Sequence, residues 1–400
     1  MRVPRRQRAI LDNAAATVAR QCRAFARRCA ETGQRCRERL LTKADPLWRF
    51  TTHSRTVPSF EGVAGATIMP GSPPTNLPRY TAAKTLQTKT YEYFGEVMTE
   101  PLPSRSIRAV MVSDARLLGD AGAVVAKDGS LVLETLWDEE HYERDFARLR
   151  RARKPRAVEG THASLISLWH NNYYHWLFDA LPRLSVLEAA GLGNAQLIVP
   201  DPLIPWQQEM LDRIGVARHR LTPYSRGHLK PERLVWASAP AYIGFPTPFV
   251  VSWLRERLGN LEPSVAERRL YLKRSTNRRL ANEADVMRIL AGFGFEAVEP
   301  DRMSVAEQIL VFSSARAVVA AHGAGVANTV FSDRLALLEL FQPGFFRTPY
   351  FILAGAAGWD YWYLVCEPAR RSGEAKTKSS DLRVPLDLLE ATVDTMLAEC

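Results

Sequence analysis

Three segments of the chain carry residues able to bind an anion or move a proton. The first is AAHGAGVAN, Ala320 to Asn328. A short apolar strand is predicted to end at Ala321, with His322 and Gly323 at the turn. Gly325 then stands at the start of a helix that runs through Asn328. In open α/β sheets, ligands collect at the carboxyl ends of strands. Glycines let the backbone approach a phosphate, and a helix start offers N–H groups with no internal partner. The spacing matches neither GxGxxG nor a P-loop, so it lends nothing to dinucleotide or ATPase chemistry. A plain tight strand-to-helix turn is the alternative.

The second segment is YLKRSTNRRLANE, Tyr271 to Glu283. Lys273 and Arg274 end a predicted strand, and Arg278 and Arg279 follow in the loop. Guanidiniums pair with phosphate oxygens in a two-pronged way. Held at a strand end, they stabilise a leaving diphosphate without a metal. A solvated basic loop is the alternative, and Asn277 or Asn282 suits the cap of the following helix.

The third segment is HNNYYHWLFDALPR, His170 to Arg183. His175, Asp179 and Arg183 are spaced i, i+4, i+8 and share one helix face. His175 or Asp179 there could serve as general base on an acceptor hydroxyl, with His170 in reserve. Asn172 and its aromatic neighbours suit a sugar ring. The alternative is local pairing of Asp179 with Arg183 and a core role for His175. No Asp-x-Asp, HExxH, GxSxG or Cys/His zinc spacing occurs, so neither a metal nor a cofactor is expected.

The elements that must position these segments alternate strand and helix from residue 161 onward. That alternation predicts parallel α/β structure. HASLISLW, AQLIVP and PERLVWASAP read as strands around the helices YYHWLFDALPRLSVLEAAG and PWQQEMLDRIG, with Pro182 interrupting the first helix. AYIGFPTPF, near residue 245, reads as a hinge. Five further strands follow (RLYLKRS, EAVEP, AVVAA, ALLELF and YWYLV), each leading to a helix. The expected organisation is a helical extension over 1–56, an irregular linker over 57–106, and α/β domains over 107–245 and 246–400. The two Rossmann-like, doubly wound domains are expected to face a cleft that holds the ligand.

The net charge of +10 belongs to the extension. Residues 1–55 hold 14 Lys and Arg against 4 acids, and the rest of the chain is balanced. A nucleic-acid partner therefore finds no support in the folded body. Residues 7–42 read as an Arg-rich amphipathic helix with a heptad-like stripe. Contact with an anionic membrane through residues 1–45, or a small coiled coil, stands against an extension that packs on its own domain. Five cysteines, none in a CxxC pair, point away from a disulfide framework and toward a reducing cytoplasm. No apolar run of membrane-spanning length or signal-peptide core is present in the sequence.

Together, NYYHWLFDALPRL, YLKRSTNRRLANE, SVAEQILVFSSARAVVAAHGAGVANTVFSD and LLELF resemble glycosyltransferase family 61 over roughly residues 105–365. The order and spacing of these stretches match as well. The resemblance implies a GT-B-like fold, an inverting mechanism without metal, a nucleotide-sugar donor such as a UDP-sugar, and a glycan or polysaccharide acceptor. It makes 107–245 the acceptor domain and 246–400 the nucleotide-sugar domain. It implies that Arg274 and Arg278 (or Arg279) hold the diphosphate together with the His322-Gly323-Ala324-Gly325 turn, and that Glu339 faces the ribose. Lys273 departs from the family pattern, which has a small residue there. A protein that binds nucleotide or sugar in polysaccharide assembly, without catalysis, is the alternative. A cytoplasmic location, peripheral at the inner membrane face, fits either role.

Overall fold

The computed structural model describes residues 56–57, 59–71, 83–87, 107–136, 154–240, 245–259, 267–342, 345–369 and 380–399. The basic helix expected over 7–42, with its membrane contact, lies outside the described residues. Among those described, no helix is long and apolar enough to cross a membrane.

The chain forms two compact units. One comprises residues up to Ala66, Val112–Gly160 and Ser225–Leu234; the other comprises Thr67–Met111, Thr161–Tyr224 and Val235–Cys400. In the first, Arg116–Leu118, Ala123–Val125 and Leu131–Val132 form an antiparallel meander. The Asp128-Gly129 turn closes it, with Gly129 at φ +87° and the Asp128 carboxylate accepting from the Ser130 N–H at 2.9 Å.

The second unit holds all three chemically suggestive segments, and the hinge expected near residue 245 lies inside it. Its N-terminal part contains the end of β1 (Arg156–Ser164), whose last three residues pair in parallel with β2 (Gln196–Pro200), and β3 (Leu221–Tyr224), parallel to β2. Its C-terminal part is an all-parallel sheet of β4 (Arg268–Leu272), β5 (Phe295–Val298), β6 (Ala315–Ala321), β7 (Ala336–Phe341) and β8 (Asp360–Val365), ordered β5-β4-β6-β7-β8. These are the five strands expected from the sequence. The fold is α/β.

Both faces of this sheet are covered, which is why its strands read as near-continuous apolar runs. Strand alternation divides them. Val318, Ala320, Leu337, Phe341, Tyr361 and Tyr363 join one core. Val319, Ala321, Leu338, Leu340, Trp362 and Leu364 join the other, under helices Glu283–Gly292 and Leu386–Ala398. The first core also takes in Leu165, Trp176, Leu197 and Met210, so it is continuous from β1 and β2 through the C-terminal sheet. Helix Pro248–Leu258 packs against both Pro205–Ile214 and Pro349–Ala357.

The strand order reverses between β4 and β6. The chain leaves β4 toward one edge and leaves β6 toward the other. The carboxyl ends of these two strands therefore flank an open crevice, the position at which doubly wound sheets bind ligands.

Candidate functional site

Arg274 leaves the carboxyl end of β4 at this reversal. Its Nε–H donates to the Asn277 carbonyl at 2.7 Å, which aims the guanidinium along the loop. Arg278 sits at φ +59°, a left-handed conformation that ordinary side chains avoid. Its guanidinium lies 5.5 Å from the centroid of the Phe345 ring, and its buried Nε has no hydrogen-bond partner among the described residues. Burial lowers the pKa of both arginines, and the neighbouring Arg274 charge lowers that of Arg278 further. Two half-buried guanidiniums that repel each other, with no ion pair to either among the described residues, form a site short of negative charge.

The turn after β6 lies against them. Gly323 packs under Arg274 so closely that a Cβ there would fall 1.6 Å from Nη1. The Tyr350 hydroxyl donates to the Gly323 carbonyl at 2.6 Å and pins the turn. A 3-10 helix, Ala324–Phe331, starts here, and Gly323 as its cap contributes no side-chain oxygen. The His322 imidazole stacks on Phe341 at 5.7 Å, with Phe345 and Tyr350 on its other sides at 5.8 and 5.5 Å. Its Nδ1 lies 2.5 Å from Glu339 Oε1, and the Tyr361 hydroxyl donates to Glu339 Oε2 at 2.5 Å.

The third segment reaches the same cluster. The helical run 173–189 begins at Asn172, whose side chain accepts from the Tyr174 N–H and caps it. It continues as a π-turn, Trp176–Ala180, before Arg183–Ala189. Pro182 has no N–H to give to the carbonyl four residues back, and the preceding turn widens so that Leu181 N–H bonds to Trp176 O. On this turn His175 Nδ1 lies 2.7 Å from Asp179 Oδ2. Asp179 is fully buried and Arg183 lies beside it, donating to the Asp179 and Ile166 carbonyls. Burial pulls the Arg183 pKa down to about 10, against the opposing pull of Asp179. Trp169 places its ring 4.8 Å from His175 while staying 40% exposed.

Tyr174 joins the two halves of the cluster. Its ring stands edge-on to Tyr350 at 5.4 Å and edge-on to His175 at 5.5 Å. Burial raises the pKa of Tyr174 and Tyr350 well above the usual phenol value, so both stay protonated as donors.

The structure thus brings His175, Asp179, Arg274, Arg278, His322, Gly323 and Glu339 around one set of aromatic rings. Other residues singled out in the sequence make different contacts. Arg279 pairs with Asp381 at 3.0 Å. Lys273 lies 3.6 Å from Glu299. Asn328 is buried, accepting from the Tyr173 hydroxyl at 2.6 Å and donating to Gln308 at 2.5 Å. His170 Nδ1 faces the Ser167 carbonyl at 2.7 Å. Phe345, Tyr350, Tyr361 and Trp169 were not singled out in the sequence. Each is an aromatic residue in a stretch that reads as core or loop, and only the fold shows what it touches.

A recess lined in part by Arg268, Arg269, Arg316 and Asp360 opens at the amino ends of the same strands. There Arg268 is paired with Glu296 and Arg316 with Glu267. Arg274 and Arg278, which have no ion-pair partner among the described residues, stand at the carboxyl ends where the strand order reverses, and the site is placed there.

No curated protein matches the chain. A family model described as Glycosyltransferase 61 matches residues 173–337. That stretch carries the His175–Asp179 pair, the Arg274 and Arg278 guanidiniums and the His322-Gly323 turn, and over it the chain is similar to glycosyltransferase family 61.

Proposed function

We propose that this chain is an inverting glycosyltransferase that works without a metal and moves a sugar from a nucleoside diphosphate, such as UDP, to a hydroxyl of a glycan or polysaccharide acceptor. The similarity to the glycosyltransferase 61 family over residues 173–337 supports glycosyltransferase activity. The observation that carries the finer reading is the Arg274–Arg278 pair at the strand-order reversal, half-buried, mutually repelling and without an ion-pair partner among the described residues. A diphosphate supplies the missing negative charge. Fixed guanidiniums also take up the charge that grows on the leaving diphosphate, the part a divalent cation plays elsewhere.

In this reading the parts of the second unit before and after residue 245 form the acceptor and donor sides of a GT-B-like site. His175 is the base. Asp179 engages Nδ1, which leaves Nε2 to take the proton from the acceptor hydroxyl as that oxygen attacks the anomeric carbon. The bond to the diphosphate breaks on the opposite face, so configuration inverts.

The test is calorimetric titration of UDP in excess EDTA, with donor turnover measured in parallel. Binding that survives EDTA, is lost in Arg274→Ala and is retained in His175→Ala supports the reading, provided His175→Ala also abolishes turnover. Absence of nucleotide binding, or binding that needs a divalent cation, sinks it.

A further inference from the structure

Glu339 is a polar residue on an otherwise apolar face. Leu337 and Phe341, two residues to either side, enter the core shared with helix Pro349–Ala357, and alternation directs Glu339 into the same core. It is fully buried, and its two carboxylate oxygens meet His322 and the Tyr361 hydroxyl rather than an arginine or lysine. A carboxylate in that position must be protonated or hydrogen-bonded by good donors. Two donors are in place: the Tyr361 hydroxyl at Oε2 and His322 at Oε1. Burial and the Glu339 charge keep Tyr361 protonated, so it donates. With Oε1 as the acceptor, Nδ1 of His322 carries the hydrogen of that 2.5 Å contact.

That fixes the other ring nitrogen. With Nδ1–H engaged, only Nε2 of His322 is left for a ligand, and the imidazole is boxed against rotation by Phe341, Phe345 and Tyr350. Phe345 also carries Arg278 and Arg347 near its ring, and Gly323, the next residue after His322, carries Arg274. His322 therefore stands among the guanidiniums of the site.

We propose that Glu339 is a positioning residue that acts through His322, holding Nδ1–H so that Nε2 takes one proton from solvent when an anionic diphosphate enters and then donates to a phosphate oxygen. This deepens the diphosphate reading above and rests on it. The ionisable groups that touch the imidazole or act on the Glu339 carboxylate are Tyr361 from β8, Tyr350 from helix Pro349–Ala357, Tyr174 from the helical run 173–189 and Arg278 from the loop after β4, while Arg274 lies against the adjacent Gly323 and Arg347 against Phe345. A diphosphate neutralises the arginines and adds its own attraction, so protonation follows binding. Glu339 makes no ligand contact in this account, unlike the ribose contact that the family resemblance implies.

The experiment is titration of UDP into the full chain by calorimetry, in several buffers of different ionisation enthalpy between pH 6 and 9. For the wild-type protein the observed heat should depend on the buffer, reporting proton uptake. Glu339→Gln should lose most of that dependence and bind UDP about tenfold more weakly, the loss of one charge-assisted hydrogen bond. Should Glu339→Gln fail to fold, Tyr361→Phe serves. It removes the competing donor, leaves the carboxylate more basic toward the imidazole, and should raise the pH at which uptake is half complete while keeping UDP affinity. Buffer-independent heats in the wild type, or uptake unchanged in both variants, overturn this inference and leave the diphosphate reading standing if Arg274→Ala still abolishes binding. No UDP binding at all overturns both.

Discussion

The backbone of Gly323 lies beneath the guanidinium of Arg274, so near that a methyl group on Gly323 would sit 1.6 Å from Nη1. Gly323 has φ 170°, an extended conformation open to any residue, so the need for glycine is one of space. The colliding atom is the far end of a flexible side chain. Gly323→Ala should therefore fold normally, with a melting temperature within a few degrees of wild type, because Arg274 can swing away. The displaced guanidinium should weaken UDP binding by about tenfold, the scale of a charge-assisted contact. A variant that binds UDP as well as wild type would show that Arg274 does not reach the ligand from this position.

The neighbouring arginines should separate cleanly. Arg274 and Arg278 have no ion-pair partner among the described residues, whereas Arg279 is paired with Asp381 and largely exposed. Arg278→Ala should lower UDP affinity about as much as Arg274→Ala. Arg279→Ala should leave affinity unchanged and cost less than about 1 kcal/mol of stability, the value of a surface ion pair. Calorimetry together with urea melts checks all three. Equal loss of UDP binding in all three variants would mean that the Asp381 pair opens on binding.

Asn328 separates structure from binding in the same way. It stands in the glycine-rich segment and suggests a ligand contact, but its amide links the Tyr173 hydroxyl to Gln308 inside the core. Asn328→Ala leaves both partners buried without it. The expected cost is about 3 kcal/mol in unfolding free energy, with UDP affinity of the folded fraction intact. A full-stability variant that no longer binds would return Asn328 to the ligand site.

These cases show what the sequence could reveal. The five parallel strands were legible because each is a short apolar run followed by a helical pattern, but their order in the sheet comes only from the fold. The π-turn was half legible: Pro182 announces an interruption, but not that the turn before it widens. Contacts over long separations were not legible. Arg279 and Asp381 are 102 residues apart, and Tyr173 and Asn328 are 155 apart. Nothing in the local pattern separates Arg278 from Arg279, since both are arginines in one loop. The left-handed backbone at Arg278 sends one toward Phe345, while the other meets Asp381. Glu339 was visible as a polar residue in an apolar strand, but its partners come from the turn after β6 and from β8.

Trp169 carries the last expectation, because it combines strain with exposure. Its φ of +59° is costly for a bulky residue, by about 1–2 kcal/mol relative to glycine. It is held there by a tight turn in which the Asn172 N–H bonds back to the Trp169 carbonyl at 2.7 Å. A residue chosen for stability alone at this position would be glycine. Instead a large ring lies 4.8 Å from His175 and flanks the imidazole that the Asp179 contact orients. Trp169→Gly should therefore keep or raise the unfolding free energy, by up to about 1 kcal/mol after the greater freedom of the unfolded glycine chain is counted. It should leave UDP affinity unchanged, because the arginine pair is untouched, and it should lower kcat for sugar transfer. Thermal melts, UDP calorimetry and donor turnover on one preparation decide the matter. Loss of stability without loss of turnover would make the ring a packing element of the turn, whereas gain of stability with loss of turnover would place it with His175 in the reaction.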